Sequence, residues 1–457
     1  MMLAYIARMT ANGEMPVQVN ENHLLKILGV TFGIAVTIGG MIGLGILRTP
    51  GTVAAQLGNV WLILGVWALG AVYALFGTFQ AIELGSSVPT AGGWYVYARR
   101  AFGEYAGFLV GWMDWINYPA GLALGAVISA EYLAKIFPAV PIKTTAAGIL
   151  IGLMLLNWRG VRAGSRMQEI TSFGKAVIFL VLTAACFWIG GYSVDDGYAA
   201  EWTLPAGTTL LAAVVISLQA VIYTYDGWYA AIYFSEENSD PGRSLPRGMI
   251  GGVVAVAVIY LLVNAALFYV LPIAQVAGSE LPVADAADAV FGSKGKLVIT
   301  ILAVVSVVSL LNSNIMSGPR IAFAMARDGL FFRRAAEVND GGTPWFALLI
   351  TVGLAMPFIV IGTFETLLAI LAFLFILLYL SGFAALIVLR RREPELERPY
   401  RAWGYPWTTA IALAGSIAFL VGVVVANTAN SVAALVILAL SYPVYLLVKR
   451  SGSSARS

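Results

Sequence analysis

The chain has 457 residues, of which 60% are hydrophobic and only 11% are charged, and its mean hydropathy is +0.85. Too little polar surface is available to cover a soluble globule, so these values exclude that class and indicate a protein that crosses a membrane several times. The net charge of +3 gives no reason to expect a nucleic-acid partner, and none is predicted.

Stretches of about 20 apolar residues, the length that a helix needs to cross the hydrocarbon core, recur along the whole chain. We predict an all-α membrane protein with about twelve transmembrane helices. Their predicted limits are 28–57, 60–85, 105–136, 144–158, 167–190, 209–235, 248–271, 297–326, 345–362, 366–389, 406–426 and 431–448. The single cysteine, Cys186, lies inside the fifth span, so an internal disulfide is excluded.

Lys and Arg residues concentrate in alternate connecting segments, which the positive-inside rule assigns to the cytoplasm. We therefore expect a multi-pass protein of the plasma (inner) membrane with both termini cytoplasmic. The predicted tails are residues 1–27 and 450–457. No cleavable signal peptide is expected, because the first 27 residues are mostly polar.

Two predicted spans are interrupted in their middle. The first is interrupted by the glycine-rich residues 39–45, and the sixth by residues 225–228. Interruptions at corresponding places in two halves are typical of secondary transporters with an inverted repeat and a substrate site near the bilayer midplane. We therefore predict a 5+5 inverted repeat, residues 28–190 and 206–390, with discontinuous helices 1 and 6. Two further helices, over 406–449, support the bundle or join copies of the chain into a homo-oligomer.

Within hydrocarbon, unpaired backbone groups are tolerated only where they line a cavity or meet a ligand. The N–H groups near Gly43, Leu44 and Gly45 carry the positive end of a helix dipole and suit a carboxylate. Carbonyl groups freed near Tyr223 and Thr224 suit an ammonium, so the two breaks predict a receptor for an amino acid. A glycine seam for close helix packing is the alternative at the first break but does not account for the second. The predicted substrate-binding residues are Met41, Ile42, Gly43, Leu44, Gly45, Tyr223, Thr224, Tyr225, Asp226 and Gly227.

These motifs resemble a known family. The stretch Gly40-Met-Ile-Gly-Leu-Gly-Ile-Leu47 resembles the first-helix motif of the amino acid, polyamine and organocation transporters, which share the fold of the bacterial leucine transporter. The stretch Tyr223-Thr-Tyr-Asp-Gly-Trp228, with the Glu-Glu-Asn that follows, resembles the sixth helix of the L-type amino acid transporter branch. Further matches lie at residues 92–97, 101–103, 318–320 and 326–329. The resemblance implies transport of L-amino acids by alternating access, as an exchanger or a proton-coupled carrier.

Two charged residues inside predicted spans require an explanation. A charge such as Lys175 costs at least about 2.5–3.5 kcal/mol at the centre of a membrane helix and indicates a function by default; a lysine that snorkels to the interface is the alternative. The resemblance implies that the Lys175 ammonium stands where sodium-coupled relatives bind an ion. We therefore predict sodium independence, with Lys175 as a permanent cation or as the proton-coupling group. Asp226 either caps the inner half-helix or pairs with a cationic substrate side chain, as its resemblance to the exchanger of cationic and neutral amino acids implies.

Gates are predicted on both sides of the site. Tyr223 resembles the aromatic residue that closes over the substrate as the outer gate, and the polar segment 272–296, helical over 281–291, is expected to cap the entrance. Glu236 and Glu237 are predicted to form an inner gate by pairing with arginines. The candidates are Arg99, Arg100 and Arg159. Other polar residues on the third and eighth spans either line the pathway or tie helices together; these are Asp114, Asn117, Ser309, Asn312, Ser313 and Asn314.

The parts of an enzyme are missing from the sequence. The sole histidine, His23, lies in the N-terminal tail, and the sequence contains no Cys/His cluster for zinc and no glycine-rich phosphate loop. We predict no metal and no cofactor. In L-type relatives a cysteine between the third and fourth helices binds a single-span glycoprotein, and residues 137–145 contain no cysteine. We therefore expect no disulfide-linked heavy chain, and as partners only the amino acid substrate, the lipid bilayer and further copies of the chain.

Two other functions remain open. An amine or polyamine antiporter of the same superfamily is the first, favoured by the aspartates and disfavoured by the carboxylate-binding break. A channel is the second, although a channel normally carries a filter repeated by oligomer symmetry.

Overall fold

The computed structural model describes residues 23–189, 191, 208–361, 364–426 and 428–454. The predicted N-terminal tail up to residue 22, the predicted start of the second repeat at 206–207 and the last residues, 455–457, lie outside these ranges. The described residues are almost entirely helical, and their one β-type contact is an isolated bridge between Leu28 and Asn238.

The helices follow one another with short connections. In chain order they are α1 (Val30–Met41), α2 (Gly45–Leu57), α3 (Val60–Ser87), α4 (Trp94–Phe102), α5 (Glu104–Ile136), α6 (Ile142–Trp158), α7 (Val161–Ile189), α8 (Leu210–Thr224), α9 (Pro241–Val270), α10 (Ile273–Gly278), α11 (Pro282–Phe291), α12 (Gly295–Arg327), α13 (Trp345–Ile361), α14 (Phe364–Arg392), α15 (Trp407–Ala426) and α16 (Thr428–Ser454). Short 3-10 helices cover Ala230–Glu237, Gly292–Lys294 and Arg333–Ala336.

The helix lengths agree with a membrane bundle. Among the described residues, eight helices are long and apolar enough to cross a membrane, and the bent pair of α1 and α2 makes a ninth span. Three shorter apolar helices, α6, α8 and α13, add to these. The prediction of an all-α membrane protein with about twelve spans is confirmed, whereas the inverted repeat remains a prediction.

Both interruptions are present. The axes of α1 and α2 differ by 49°, and the backbone leaves the helical region at Ile42, whose φ and ψ are −79° and 90°. The sixth predicted span is a helix only as far as Thr224 and resumes as the 3-10 helix that begins at Ala230. Its interruption is therefore longer than the four residues that the sequence indicated.

The two interrupted spans touch through their backbones at Gly40 and Gly227. A Cβ atom placed on Gly227 would lie 2.5 Å from the carbonyl carbon of Gly40, and Gly227 has a φ of +99°, which disfavours any residue with a side chain. A Cβ on Gly40 would lie 3.0 Å from the Gly227 carbonyl oxygen. Close approach and backbone conformation together require glycine at this crossing.

Helix α1 is also held by α9 and by the end of the 3-10 helix Ala230–Glu237. A Cβ on Gly33 would lie 3.1 Å from the Cα of Gly248, so α1 and α9 pack at the distance that only glycines permit. The Leu28 N–H donates to the Glu237 carbonyl oxygen at 3.0 Å, and the Ser239 N–H donates to the Leu28 carbonyl oxygen at 3.0 Å. The start of α1 and the end of the 3-10 helix are thus tied together on the face of the bundle that carries α4, called here the α4 face.

The opposite face carries α10 and α11 and is called here the α11 face. Helix α11, Pro282–Phe291, confirms the helix expected over 281–291. The preceding segment packs closely on α2, since a Cβ on Gly51 would lie 2.6 Å from the Ser279 carbonyl oxygen and 3.0 Å from that of Val276. This segment therefore braces α2, the second half of the first interrupted span.

Candidate functional site

A cavity of about 460 Å³ lies where the two interrupted spans meet. Helices α1, α2, α5, α8, α12 and α14 contribute its walls. Its mouth lies toward the α11 face, where Arg48, Glu131 and Lys135 line it. None of the lining residues comes from α10 or α11, so the segment expected to cap the entrance is not part of the wall. The cavity is open on one side of the bundle and ends near its middle.

The first break brings most of its predicted residues to the cavity. Met41, Gly43, Leu44 and Gly45 line it, whereas the Ile42 side chain is buried away from it. The Gly43 N–H donates to the Met41 carbonyl oxygen at 3.0 Å, and the N–H groups of Leu44 and Gly45 donate to no described acceptor. Two free N–H groups at the start of α2 therefore face the cavity, where a carboxylate would find the positive end of a helix dipole.

Lys175 lies behind this break rather than in the cavity wall. Its side chain is 0% exposed, and Nζ donates to the carbonyl oxygens of Gly39, at 3.0 Å, and Ile42, at 2.6 Å. The ammonium therefore satisfies carbonyls that the end of α1 leaves without helical partners. The alternative of a lysine that snorkels to the interface is wrong, because the ammonium is enclosed by protein.

One tyrosine that the sequence did not single out connects the two breaks. The Tyr260 hydroxyl, on α9, lies 2.8 Å from the Met41 carbonyl oxygen and 3.3 Å from that of Thr224. The hydroxyls of Thr49 and Thr224, which lie 2.7 Å apart, join α2 to α8 beside the cavity. In the sequence, the only indication of a role for Tyr260 was its polar hydroxyl in the middle of the predicted seventh span.

The second break contributes four of its five predicted residues. Tyr223, Thr224, Asp226 and Gly227 line the cavity, and the Tyr223 side chain is 39% exposed toward it. The expected free carbonyls are partly occupied, because the Tyr223 carbonyl oxygen accepts from the Asp226 N–H at 3.2 Å and that of Thr224 faces Tyr260. Fewer acceptors are thus left for a substrate ammonium than the sequence indicated.

Tyr225 does not reach the cavity. Its side chain is 1% exposed and packs against the rings of Trp67 and Tyr260, with centroid distances of 5.9 Å and 5.0 Å. The sequence had predicted that Tyr225 binds the substrate. The turn after Thr224 instead sends Tyr225 toward α3 and α9.

Asp226 faces the cavity with an unused acceptor. Its Oδ1 atom is buried without a hydrogen-bond partner, and no cation among the described residues pairs with its carboxylate. A buried carboxylate is stable only with a positive or hydrogen-bonding partner. The arrangement suits a group that arrives with a positive charge.

Aromatic residues form the floor of the cavity. Tyr118 of α5 and Tyr229 before the 3-10 helix line it, and the ring of Tyr233 lies beneath both, with centroids at 6.1 Å and 6.0 Å. The Tyr233 hydroxyl donates to the buried carboxylate of Asp114, with both oxygens within 3.0 Å. Asp114 therefore ties α5 to the second interrupted span instead of lining the pathway, and the sequence had left both options open.

Below the floor, two ion pairs close the α4 face. The buried pair Glu237–Arg320 is bidentate, with N–O distances of 2.8 and 3.0 Å and exposures of 0% and 2%. The pair Glu236–Arg327 is also bidentate, with both distances 2.7 Å. Arg320 and Arg327 are seven residues apart on α12, so they project on the same side and meet the adjacent glutamates.

The arginines predicted for the inner gate do not pair with Glu236 or Glu237 in this structure. Arg99 pairs with Asp328 at 3.0 Å and Arg100 with Glu393 at 2.7 Å, while Arg159 pairs with neither glutamate. The sequence prediction took the arginines from loops and passed over Arg320, which lies inside a predicted span. A charge inside a span was the available signal, because it requires a buried partner.

Asp328 adds a third connection on this face. Its carboxylate accepts from the Tyr95 hydroxyl at 2.6 Å and pairs with Arg99, so α4 is joined to the end of α12. Burial and then the neighbouring carboxylate raise the pKa of Tyr95 above its usual value. The phenol therefore keeps its proton and remains a donor across the physiological pH range.

The polar residues of the eighth span divide into two groups. Ser313 and Asn314 line the cavity. Asn312 instead bonds to Asn157 at 2.9 Å and to Gln168 at 2.8 Å, and Ser309 lies 3.3 Å from the Gln168 amide. These bonds tie α12 to α6 and α7. Within the described ranges, no cluster of three or more His, Cys, Asp or Glu residues offers a site for a metal ion.

Comparison with known proteins agrees with this architecture. The profile of the family described as amino acid permease matches residues 29–448. The serine/threonine exchanger SteT of Bacillus subtilis (strain 168) is 30% identical over 441 residues, which cover 95% of this chain and 99% of that protein. The mouse b(0,+)-type amino acid transporter 1 is 27% identical over 398 residues, covering 84% and 80% of the two chains. The mouse Asc-type amino acid transporter 1 is 29% identical over 400 residues, covering 83% and 73%.

Proposed function

The chain belongs to the amino acid permease family, and on that premise we propose that it is a sodium-independent carrier that exchanges L-amino acids across the plasma membrane by alternating access. As a member of this family it is a transporter and not an enzyme. Its substrates are neutral amino acids, with cationic ones admitted through Asp226. Both termini are cytoplasmic, so that the α4 face is the inner face and the α11 face the outer one.

The main observation behind this proposal is that hydrogen-bond donors line one side of the cavity and acceptors line the other. Free N–H groups of Leu44 and Gly45 line it at the first break, and acceptors line it at the second, where the carbonyl groups of Tyr223 and Thr224 are followed by the Asp226 carboxylate. An α-amino acid carries a carboxylate and an ammonium on one carbon atom, so the carboxylate meets the N–H groups while the ammonium meets the carbonyl oxygens, and Asp226 is left for a cationic side chain. An amine or polyamine satisfies only the second break, so this geometry favours the amino acid over the antiporter alternative.

The position of Lys175 supports sodium independence. Its ammonium is hydrogen-bonded to two carbonyls of the first break, the type of group that would otherwise coordinate a cation. A sodium ion bound to the same carbonyl groups would lie close to the Lys175 ammonium, and the two positive charges would repel each other. We infer that Lys175 stays a fixed cation during exchange.

The α4 face is closed and the mouth of the cavity is open, as expected for one conformation of a carrier that works by alternating access. Three ion pairs, Glu237–Arg320, Glu236–Arg327 and Arg99–Asp328, join the inner ends of the spans. The mouth carries Tyr223 in an exposed position from which it can close over a substrate. In the inward-open state we expect these pairs to separate and Tyr223 to cover the site.

The test is uptake of labelled alanine and arginine into sodium-free proteoliposomes that contain the purified protein. Vesicles are loaded either with buffer or with unlabelled amino acid, and each set is measured with and without an inward proton gradient. Uptake only into amino-acid-loaded vesicles supports exchange. Uptake into empty vesicles that follows the proton gradient would replace exchange by proton symport, and uptake of an amine that lacks a carboxylate in preference to alanine would overturn the amino acid assignment.

A further inference from the structure

Two carboxamide side chains face the cavity from opposite helices without any partner. Asn117 on α5 is 1% exposed, and both its Oδ1 and its Nδ2 atoms are buried without a hydrogen bond. Asn314 on α12 also lines the cavity, and no hydrogen bond joins its amide to another described residue. A Cβ atom placed on Gly121 would lie 3.9 Å from Asn314 Nδ2, so Asn314 lies against the residue one helical turn from Asn117.

Asn117 is buried without a partner and Asn314 is half-buried without one, and this distinguishes both amides from Asn312 nearby. A buried amide that makes no hydrogen bond destabilises the protein, whereas an apolar residue of similar size does not. Asn312, only two residues from Asn314, is bonded to both Asn157 and Gln168. On α12, therefore, the amide that points away from the cavity is satisfied within the protein, and the one that lines the cavity is not.

The pair lies within reach of the site proposed for the substrate main chain. A Cβ atom on Gly43 would lie 3.7 Å from Leu310 Cδ2, which places this part of α12 over the first break. Asn314 follows Leu310 by four residues and therefore lies about one turn farther along the same face. Leu44, Gly45, Asn117 and Asn314 all line the same cavity, so a substrate held at the first break lies in a space whose walls include both amides.

We propose that Asn117 and Asn314 form a side-chain subsite that selects amino acids with a hydroxyl or carboxamide side chain, such as serine, threonine or asparagine. This inference rests on the proposed function of amino acid exchange. A carboxamide offers both a donor and an acceptor, and a hydroxyl or another carboxamide can match both. A carboxylate only accepts and an ammonium only donates, while an aliphatic side chain leaves all four polar atoms unpaired.

The experiment compares substrates of equal shape. Exchange of L-serine is measured against L-2-aminobutyrate, and L-threonine against L-valine, in proteoliposomes loaded with unlabelled L-alanine. We expect the protein to favour the hydroxyl member of each pair by at least about 10-fold in kcat/KM, because a site built for a hydroxyl rejects the analogue that lacks it. Asn117→Leu and Asn314→Leu are each expected to reduce that ratio toward unity.

Asn312→Leu is the matched control, because it removes an amide of the same helix that is bonded inside the protein. It is expected to lower the melting temperature and to leave the serine to 2-aminobutyrate ratio unchanged. Gly121→Ala serves as a second probe if the leucine variants do not fold. Its methyl group would meet only Asn314 Nδ2, at 3.9 Å, and should reduce exchange of asparagine more than that of serine.

Three outcomes separate this inference from the proposed function. Exchange of all four amino acids with no preference, or unchanged ratios in Asn117→Leu and Asn314→Leu, would overturn the subsite and leave amino acid exchange standing. Thermal stabilisation of the purified protein is measured with the same four ligands. Greater stabilisation by serine without any exchange would support the subsite and overturn the transport proposal, and no stabilisation and no exchange would overturn both.

Discussion

A single side chain, Lys175, satisfies the carbonyl groups that the first break leaves exposed. Its ammonium bonds to the carbonyl oxygens of Gly39 and Ile42 and is fully enclosed by protein. The residue acts on the break, and through the break on the free N–H groups that face the cavity. Its effect on substrate binding is therefore indirect.

We expect Lys175→Met to lower exchange of L-alanine by at least about 10-fold, because each lost hydrogen bond to a charged donor is worth about 1.5–3 kcal/mol. Sodium should neither stimulate the natural protein nor restore the variant. The measurement is initial exchange rate in sodium chloride and in choline chloride. Lys26→Met, at an exposed lysine, is the control, and sodium-stimulated exchange by the natural protein would contradict the proposed role.

Replacement of Asp226 should affect exchange of cationic substrates more than exchange of neutral ones. Its carboxylate faces the cavity, and no cation among the described residues pairs with it. Asp226→Asn should therefore lower exchange of L-arginine by at least about 10-fold, which is the effect expected for the loss of one hydrogen bond to a charged group. Exchange of L-alanine should change much less. Competition of both amino acids for labelled L-alanine measures the two effects, and equal losses for both would assign Asp226 to the structure of the break.

At the scale of helices, the two interrupted spans are joined where their backbones cross. No side chain fits between Gly40 and Gly227, and the left-handed φ of Gly227 is itself unfavourable for any other residue. The crossing sets the separation of the two halves of the site.

Gly227→Ala should therefore abolish exchange and lower the melting temperature in detergent. The backbone conformation alone costs about 1–3 kcal/mol for a residue with a side chain, and the clash with Gly40 adds to it. Gly148→Ala on α6, where nothing lies within 4 Å of an added Cβ, should leave the melting temperature unchanged or raise it. A functional Gly227→Ala protein with normal stability would show that the breaks do not need this contact.

The ion pairs at the α4 face offer a second comparison between elements. Glu237→Gln leaves Arg320 buried without a charged partner, which costs about 3–5 kcal/mol for a buried pair. Glu393→Gln breaks the partly exposed pair with Arg100, which is worth less than about 1 kcal/mol. Melting temperatures of the two variants measure the difference, and an equal effect would mean that Arg320 finds another acceptor.

At the scale of the whole molecule, the cavity opens toward one face and three ion pairs close the other. The single cysteine of the chain, Cys186, is buried, so Cys186→Ser provides a background free of other thiols. In that background, Ile128→Cys at the cavity wall should react with a membrane-impermeant maleimide added outside intact cells, and substrate should slow the reaction.

Ser235→Cys, which lies buried on the closed side, should remain unlabelled under the same conditions. Labelling is read from the shift in gel mobility after a polymer-linked maleimide chase. Reaction of Ile128→Cys from the cytoplasmic side alone would reverse the proposed orientation of the chain, while the cavity and its residues would remain as described.

The sequence by itself determined the membrane class, the succession of about twelve helices and the places where two of them break. These features depend on hydrophobicity over about 20 residues and on local backbone preferences, which neighbouring residues already set. Four of the five predicted binding residues of the first break, all except Ile42, reached the cavity for the same reason, because a released N–H group belongs to the break itself. Lys175 could be singled out because a charge in hydrocarbon always needs a partner.

Only the tertiary structure decided which residues meet across the bundle. The turn after Thr224 sends Tyr225 to Trp67, the rotation of α12 brings Arg320 to Glu237, and α9 places Tyr260 between the two breaks. The same rotation turns Asn314 toward the cavity and Asn312 away from it. These pairings depend on helix rotation and on contacts between segments far apart in the chain, and a local pattern of residues carries no information about either.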